Sequence, residues 1–236
     1  MTRSQFHFLL LPWLIASAAG APGAGSAAPS GSATASPACT LTPGAMQSVS
    51  FFWTPPEELT AAAWKIPAST CDACAATGGL TPTSVSFGVR WFRSCSAQAQ
   101  VLIVGAQTEG GCSVPDTTKV LCGPTTFTIS NNRGGLKVHT LQLPGGCCIS
   151  GDAFLLVRFT GFGGCSAGGL SPGLAASSGP CAACEQYVSA ANIYPTLTEW
   201  CSVGAANSMW FSMETQCCLV TPVKEHSWGR LRVMYR

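Results

Sequence analysis

Fourteen cysteines in a chain of 236 residues constrain this fold more than any other feature. They are Cys39, Cys71, Cys74, Cys95, Cys112, Cys122, Cys147, Cys148, Cys165, Cys181, Cys184, Cys201, Cys217 and Cys218. In an oxidising compartment an even set of thiols pairs and stays paired, so all fourteen are expected in seven disulfides. Their spacing adds two signatures. Cys71-Asp72-Ala73-Cys74 and Cys181-Ala182-Ala183-Cys184 are CxxC segments, and Cys147-Cys148 and Cys217-Cys218 are adjacent doublets. Neighbouring cysteines bond each other only through a strained ring, so each doublet is expected to hold two different partners. Cys112 and Cys122 are expected to close the short loop between them.

The N-terminal segment supports that compartment. Arg3 precedes the apolar run Phe8-Leu9-Leu10-Leu11-Pro12-Trp13-Leu14-Ile15. Ala16-Ser17-Ala18 or Ala19-Gly20-Ala21 then supplies small residues at cleavage spacing. A run of about a dozen residues falls short of the ~20 that a spanning helix needs. Residues 1–20 are therefore read as a signal peptide, and the mature chain as secreted, extracellular or periplasmic, with no transmembrane segment. Residues 21–38 are uncharged and built from Ala, Gly, Ser, Pro and Thr apart from Cys39 beyond them, which makes a flexible linker. Residues 39–236 are expected to form one bridged domain.

Charge excludes one class of partner. Only 9% of residues are charged, where about 25% is usual, and the net charge is +2. A nucleic-acid binder shows a strong basic excess, so no nucleic acid is expected. Lys224, His226, Arg230, Arg232 and Arg236 cluster near the end, with Glu225 against them. The alternation from Trp228 to Arg236 reads this cluster as the solvated face of a last strand.

Strand patterning dominates the rest. Val85, Phe87, Val89 and Trp91 alternate with small and polar residues, and Val101-Leu102-Ile103-Val104 reads as a strand buried on both faces. Thr125-Thr126-Phe127-Thr128-Ile129, residues 138–143, residues 153–159 and residues 209–213 add further strands, with a bulge expected between Val138 and Leu141. Gly and Pro punctuate the gaps. The expected fold is all-β: a disulfide-rich, jelly-roll-like β-sandwich of eight to ten antiparallel strands with one or two short helices. The helices are placed at residues 57–65, behind Pro55-Pro56, and at residues 181–191. Residues 161–184, rich in Gly, Ser and Ala, read as a long loop between two strands or as a linker between two lobes.

Several stretches carry a resemblance. Leu121-Cys122, Leu143-Pro144-Gly145-Gly146-Cys147-Cys148-Ile149-Ser150-Gly151 and Val157-Arg158-Phe159-Thr160-Gly161 resemble a leucine-cysteine … LPxPCC-hydrophobic-SG … FTG pattern. That pattern is shared by a group of exported, cysteine-rich bacterial proteins. Cys71, Cys74, Cys95 and Cys112 precede it in a similar order, and the resemblance covers roughly residues 70–215. Gly145-Gly146 departs from the usual single proline. The resemblance implies a cysteine-bridged extracellular β-sandwich and implies no activity.

The chemistry-bearing residues are sparse. Neither a GxSxG elbow nor an HExxH segment is present. The acidic residues are scattered, and His139, within a strand, reads as a surface residue. Two CxxC segments suit tetrahedral zinc in a reducing compartment, but export and ten competing cysteines argue for scaffolding, with no metal and no cofactor. No catalytic residues are assigned. Aromatic rings on a sandwich surface can stack on sugar rings while offering a polar tip. Trp210, opposite Met209, Phe211 and Met213, is the first binding candidate; Trp200 and Tyr194, in a polar stretch, follow. The leading reading is a non-enzymatic secreted or surface binding or adhesion protein, with a glycan or a surface protein as partner. The alternative is a self-associating structural subunit of an extracellular layer or fibre. A hydrolase or a metal-binding protein is the lesser alternative.

Overall fold

The computed structural model describes residues 38–67 and 71–218. The signal-like segment, the linker up to residue 37 and the basic cluster from Lys224 to Arg236 lie outside the described residues. Among the described residues, thirteen strands form two antiparallel sheets, more than the eight to ten expected, and the helical content is limited to short 3-10 turns. In chain order they are β1 (Ala38–Leu41), β2 (Met46–Ser50), β3 (Leu59–Lys65), β4 (Leu80–Trp91), β5 (Cys95–Glu109), β6 (Cys112–Asn131) and β7 (Gly135–Gln142). β8 (Ala153–Thr160), β9 (Gly173–Pro180), β10 (Gln186–Ala190), β11 (Tyr194–Glu199), β12 (Asn207–Met209) and β13 (Phe211–Cys217) follow. The first sheet runs β1-β13-β4-β9-β12, with β2 beside β9 and β7 beside β4; the second runs β11-β10-β3-β8-β5-β6.

The main core lies between the sheets. Val85, Phe87, Val89 and Trp91 of β4 meet Val101, Ile103, Leu155 and Val157 of the facing sheet. Trp64 stacks on Phe211, and Phe87 meets Phe159 edge-on. The alternation that predicted β4 is thus the alternation of core and outer face.

The two helices expected from sequence are strands. Residues 59–65 form β3, in the middle of the second sheet between β8 and β10. Alanine favours a helix in isolation, but ladders on both sides and burial on both faces override that preference. Ala62 and Trp64 face the main core, while Ala61 and Ala63 face a second one. Residues 186–190 form β10 for the same reason, and the expected loop at 161–184 contains β9.

The second core explains why Val101-Leu102-Ile103-Val104 is apolar on both faces. β5 and β6 make a long hairpin whose register shifts between Val101 and Gly105. Beyond Gly105, where pairing with β8 ends, the hairpin tip lies over the outer face of the second sheet. It covers Leu102, Val104, Phe154, Leu156 and Tyr187, with Ala106 and Val114 packed against them. Tyr187 Oη donates to Ser113 O at 2.8 Å, and Cys112 is bridged to Cys184. Burial raises the Tyr187 hydroxyl above its usual pKa, with Glu199 and Glu109 adding to the rise, so the group stays a donor. Replacing both Cys112 and Cys184 by Ala is expected to remove about 2–4 kcal/mol of stability. It should also open residues 106–118 to limited proteolysis while the main core persists. Unchanged protection of that tip would contradict the pinning role.

All fourteen cysteines are paired. The pairing of Cys112 with Cys122 does not occur: Cys112 bonds Cys184 and Cys122 bonds Cys147. Both residues lie on the one extended strand β6, where ten residues at ~3.3 Å each far exceed the ~7 Å reach of a disulfide. The doublets do hold two partners each. Cys147 bonds Cys122 and Cys148 bonds Cys218, while Cys217 bonds Cys74. With Cys39–Cys71 the result is a run of four bridges, each next to the last in sequence, from β1 through Cys71-x-x-Cys74, the two doublets and on to β6. Gly79 passes this run so closely that a Cβ there would lie 2.8 Å from Cys148 Sγ and 2.9 Å from Cys218 Sγ. Cys181–Cys201 and Cys184–Cys112 form a second, shorter run, and Cys95–Cys165 stands apart.

Candidate functional site

Three short segments converge on one open aromatic groove. Phe51, Phe52 and Trp53 follow directly on β2; Ile193 and Tyr194 lead into β11; Trp200 and residues 203–206 form the connection toward β12. The groove has a volume of about 450 Å³ and, apart from Ser50, presents aromatic, aliphatic and backbone groups. No charged side chain is among its lining residues.

Each wall is fixed by bonds behind it. Phe51 N–H donates to Leu174 O at 2.8 Å, and Ser171 N–H donates to Trp53 O at 2.8 Å, so the aromatic run is sewn to β9 and the segment before it. Trp200 N–H donates to Gln186 O, and its Nε1–H donates to Asn207 O at 2.9 Å. Cys181–Cys201 anchors the turn that follows Trp200. Phe51 meets Trp200 edge-on with centroids 4.7 Å apart, and Trp53 lies tilted to it at 6.4 Å. Ser50 Oγ accepts from Arg90 Nε–H at 3.1 Å, which orients this hydroxyl at the rim.

The structure brings together two of the three aromatics chosen from sequence. Tyr194 and Trp200 share this groove; Trp210 does not line it. Trp200 differs from the free ring expected, for it is 6% exposed and serves as the floor. Its indole N–H is satisfied internally, which lets a large ring be buried. Trp210 is half-buried and stands between β12 and β13, outside either strand, whereas Met209, Phe211 and Met213 are buried in the core. Phe52, 52% exposed, and Ile193, 42% exposed, supply the accessible apolar surface and were not singled out from sequence. The signal for Phe52 was present in Phe51-Phe52-Trp53, three consecutive aromatics ahead of Pro55-Pro56.

His139 is the other correction. It is 7% exposed, not a surface residue, and accepts a hydrogen bond at Nε2 from Trp91 Nε1–H at 3.3 Å. Its ring lies edge-on to Trp91 and tilted to Phe87. The bulge expected nearby is absent: β4 and β7 pair in unbroken register from Ser84↔Gln142 to Trp91↔Gly135. Val138 points outward, 40% exposed, and His139 takes the core position. Burial, with Lys137 adding to it, lowers the His139 pKa to about 4. Protonation would also cost Nε2 its lone pair and so the Trp91 bond. The unfolded chain therefore binds a proton more readily than the folded one between about pH 6.5 and pH 4, and stability falls as pH drops through that window. The expected loss is about 2 kcal/mol after allowance for solvent screening. His139→Gln should flatten that part of a urea-midpoint profile; an unchanged slope would contradict the assignment.

Among the described residues, the group of potential ligands close enough to hold a metal is Cys39, Cys71 and Cys74. All three sulfurs are in disulfides and offer no thiolate. No helix among the described residues is long and apolar enough to cross a membrane.

No protein-family model matches the chain, and no curated protein matches it. Among solved structures, it is similar to the cysteine protease and lectin-like domains of Cwp84, a surface layer associated protein of Clostridium difficile. The alignment has 13% identity and a TM-score of 0.47, and covers 76% of this chain. It spans 36% of that chain, little more than a third of its length.

Proposed function

We propose that this chain is an exported, non-enzymatic binding protein whose aromatic groove takes a neutral glycan. The observation that carries this reading is the groove itself: Phe52 and Tyr194 on its open side, Trp200 and Trp53 beneath, and no charged residue in its lining. Aromatic faces suit the apolar faces of pyranose rings, and Tyr194 and the exposed backbone of residues 203–206 supply polar contacts. The lining carries no charged side chain, and the Arg90 guanidinium at the rim is engaged by Ser50 Oγ and Ser48 O, so the groove offers an anionic polymer little in exchange for its hydration. Seven bridges and the signal-like N-terminus support an extracellular setting.

Affinity electrophoresis in gels cast with neutral polysaccharides (a glucan, a xylan, a mannan) or with an anionic one tests this directly. The oxidised protein is expected to be retarded by at least one neutral gel, with little dependence on salt. Phe52→Ala and Tyr194→Ala should each weaken binding about tenfold, a change of about 1.4 kcal/mol. Trp210→Ala should leave it unchanged. Free migration in every neutral gel, or sensitivity to Trp210 in place of Phe52 and Tyr194, would remove the proposal.

The structural-subunit reading is supported by β1. Among the described residues this short strand pairs only with β13, at the edge of its sheet, and it follows the linker in sequence. Such a strand suits addition to a neighbouring copy. Cys39–Cys71 ties it to its own chain, which weighs against exchange in the oxidised protein. Size-exclusion chromatography at two concentrations separates the readings: a strict monomer sinks assembly and leaves glycan binding untouched.

A further inference from the structure

We propose that Cys71 and Cys74 form an internal thiol-exchange pair that releases strand β1 when one of their bridges is opened. The CxxC segment folds into the 3-10 turn Asp72–Thr77, and Cys74 N–H donates to Cys71 O at 2.9 Å. That turn brings Cys71 Sγ to 3.3 Å from Cys74 Sγ, although each is bonded elsewhere. Cys71 holds Cys39 on β1, and Cys74 holds Cys217 on β13. The sulfurs of Cys39, Cys71 and Cys74 all lie within 4.8 Å of one another. An attacking sulfur and the bridge it would attack are therefore already neighbours, and proximity of this kind sets exchange rates inside a protein. A cavity of about 260 Å³ lined by Cys71, Cys74, Gly79 and Ile149 lies beside them.

The exchange conserves electrons. A small dithiol first reduces Cys74–Cys217, is itself oxidised to a cyclic disulfide, and leaves Cys74 and Cys217 as thiols. The Cys74 thiolate then attacks Cys71 Sγ. The Cys71–Cys74 bond forms, the Cys39–Cys71 bond breaks, and the electron pair leaves on Cys39 as a thiolate. This second step needs no further reductant. Its product has Cys71–Cys74 closed and Cys39 and Cys217 free. β1 then has no covalent tie and keeps its non-covalent ones: the ladder to β13 from Ala38↔Gln216 to Leu41↔Met213, the packing of Leu41 in the main core, and Thr40 Oγ1–H donating to Glu214 Oε1.

The test uses the full oxidised chain. In Cys217→Ser, Cys74 begins as the unpaired thiol with no reductant present. Alkylation and peptide mapping are expected to find Cys39 labelled almost completely, Cys74 unlabelled and a Cys71–Cys74 linkage. Persistence of Cys39–Cys71 with the label on Cys74 would overturn the proposal. Wild-type protein treated with limiting dithiothreitol, quenched in acid and alkylated provides a measurement that does not depend on the variant folding. Cys39 and Cys217 should then be labelled in equal amounts while Cys71 and Cys74 stay protected. Amide exchange at Thr40 and Leu41 should rise at least tenfold in the same sample. Labelling of Cys74 together with Cys217, and none on Cys39, would equally overturn it.

Discussion

Gly173→Ala is expected to destabilise the protein by about 3 kcal/mol and to abolish the groove in the same step. A Cβ at residue 173 would stand 1.5 Å from Phe51 O, 2.5 Å from Phe51 C and 2.8 Å from Phe52 Cα. These are backbone atoms, so no rotamer change relieves the collision. One of the two strands must move, and Phe51 N–H···O Leu174 is the bond that breaks. Phe51 and Phe52 move with it, and Phe51 is the ring that packs edge-on against Trp200. Urea denaturation should show a lowered midpoint with an unchanged slope, and affinity electrophoresis should show lost retardation. Gly145→Ala provides the contrast, because nothing lies within 4 Å of a Cβ there. It should be neutral in both measurements. Wild-type stability in Gly173→Ala would mean that the segment after β2 does not pass Gly173 as closely as described.

Complete reduction and alkylation is expected to unfold the chain. A disulfide contributes about 2–4 kcal/mol, chiefly by restricting the unfolded state, while a typical domain has a net stability of about 5–15 kcal/mol. Losing seven bridges exceeds that margin even if their contributions overlap heavily. Little else in the described residues compensates. Their one ion pair, Lys65–Asp152 at 3.3 Å, is solvent-accessible and worth at most about 1 kcal/mol. β3 contributes three alanines to the middle of its sheet, with correspondingly little apolar area. Near-UV circular dichroism and tryptophan emission should both report unfolding, because Trp64, Trp91 and Trp200 leave buried positions. A reduced, alkylated chain that kept its native near-UV spectrum would contradict the scaffold role of the cysteines.

What the sequence disclosed follows from where side chains point. β4 was legible because only one of its faces meets the core, so Val85, Phe87, Val89 and Trp91 mark it. β3 was not, because a run of alanines has no visible period and favours a helix when alone. Its strand state is imposed by β8 and β10, which are distant in sequence. His139 and Val138 were misread together: a polar residue satisfied by Trp91 took the core slot, and the apolar one faced solvent. The doublets could be read from covalent geometry alone, whereas Cys112 could not, since its partner depends on how the β5–β6 hairpin folds over the sheet. In the groove, Tyr194 and Trp200 stood out as aromatics in a polar stretch. Their association with Phe51, Phe52 and Trp53 depends on the antiparallel pairing of β2 with β9, which no local pattern carries.

The cysteines form a closed scaffold that holds the aromatic groove in place. Peptide mapping of the oxidised protein under non-reducing conditions is the decisive measurement. The expected result is no free thiol, a linkage of Cys148 to Cys218 between the two doublets, and one of Cys181 to Cys201 beneath the groove. Alkylatable Cys181 or Cys184 in the untreated protein, or a Cys112–Cys122 peptide pair, would contradict it.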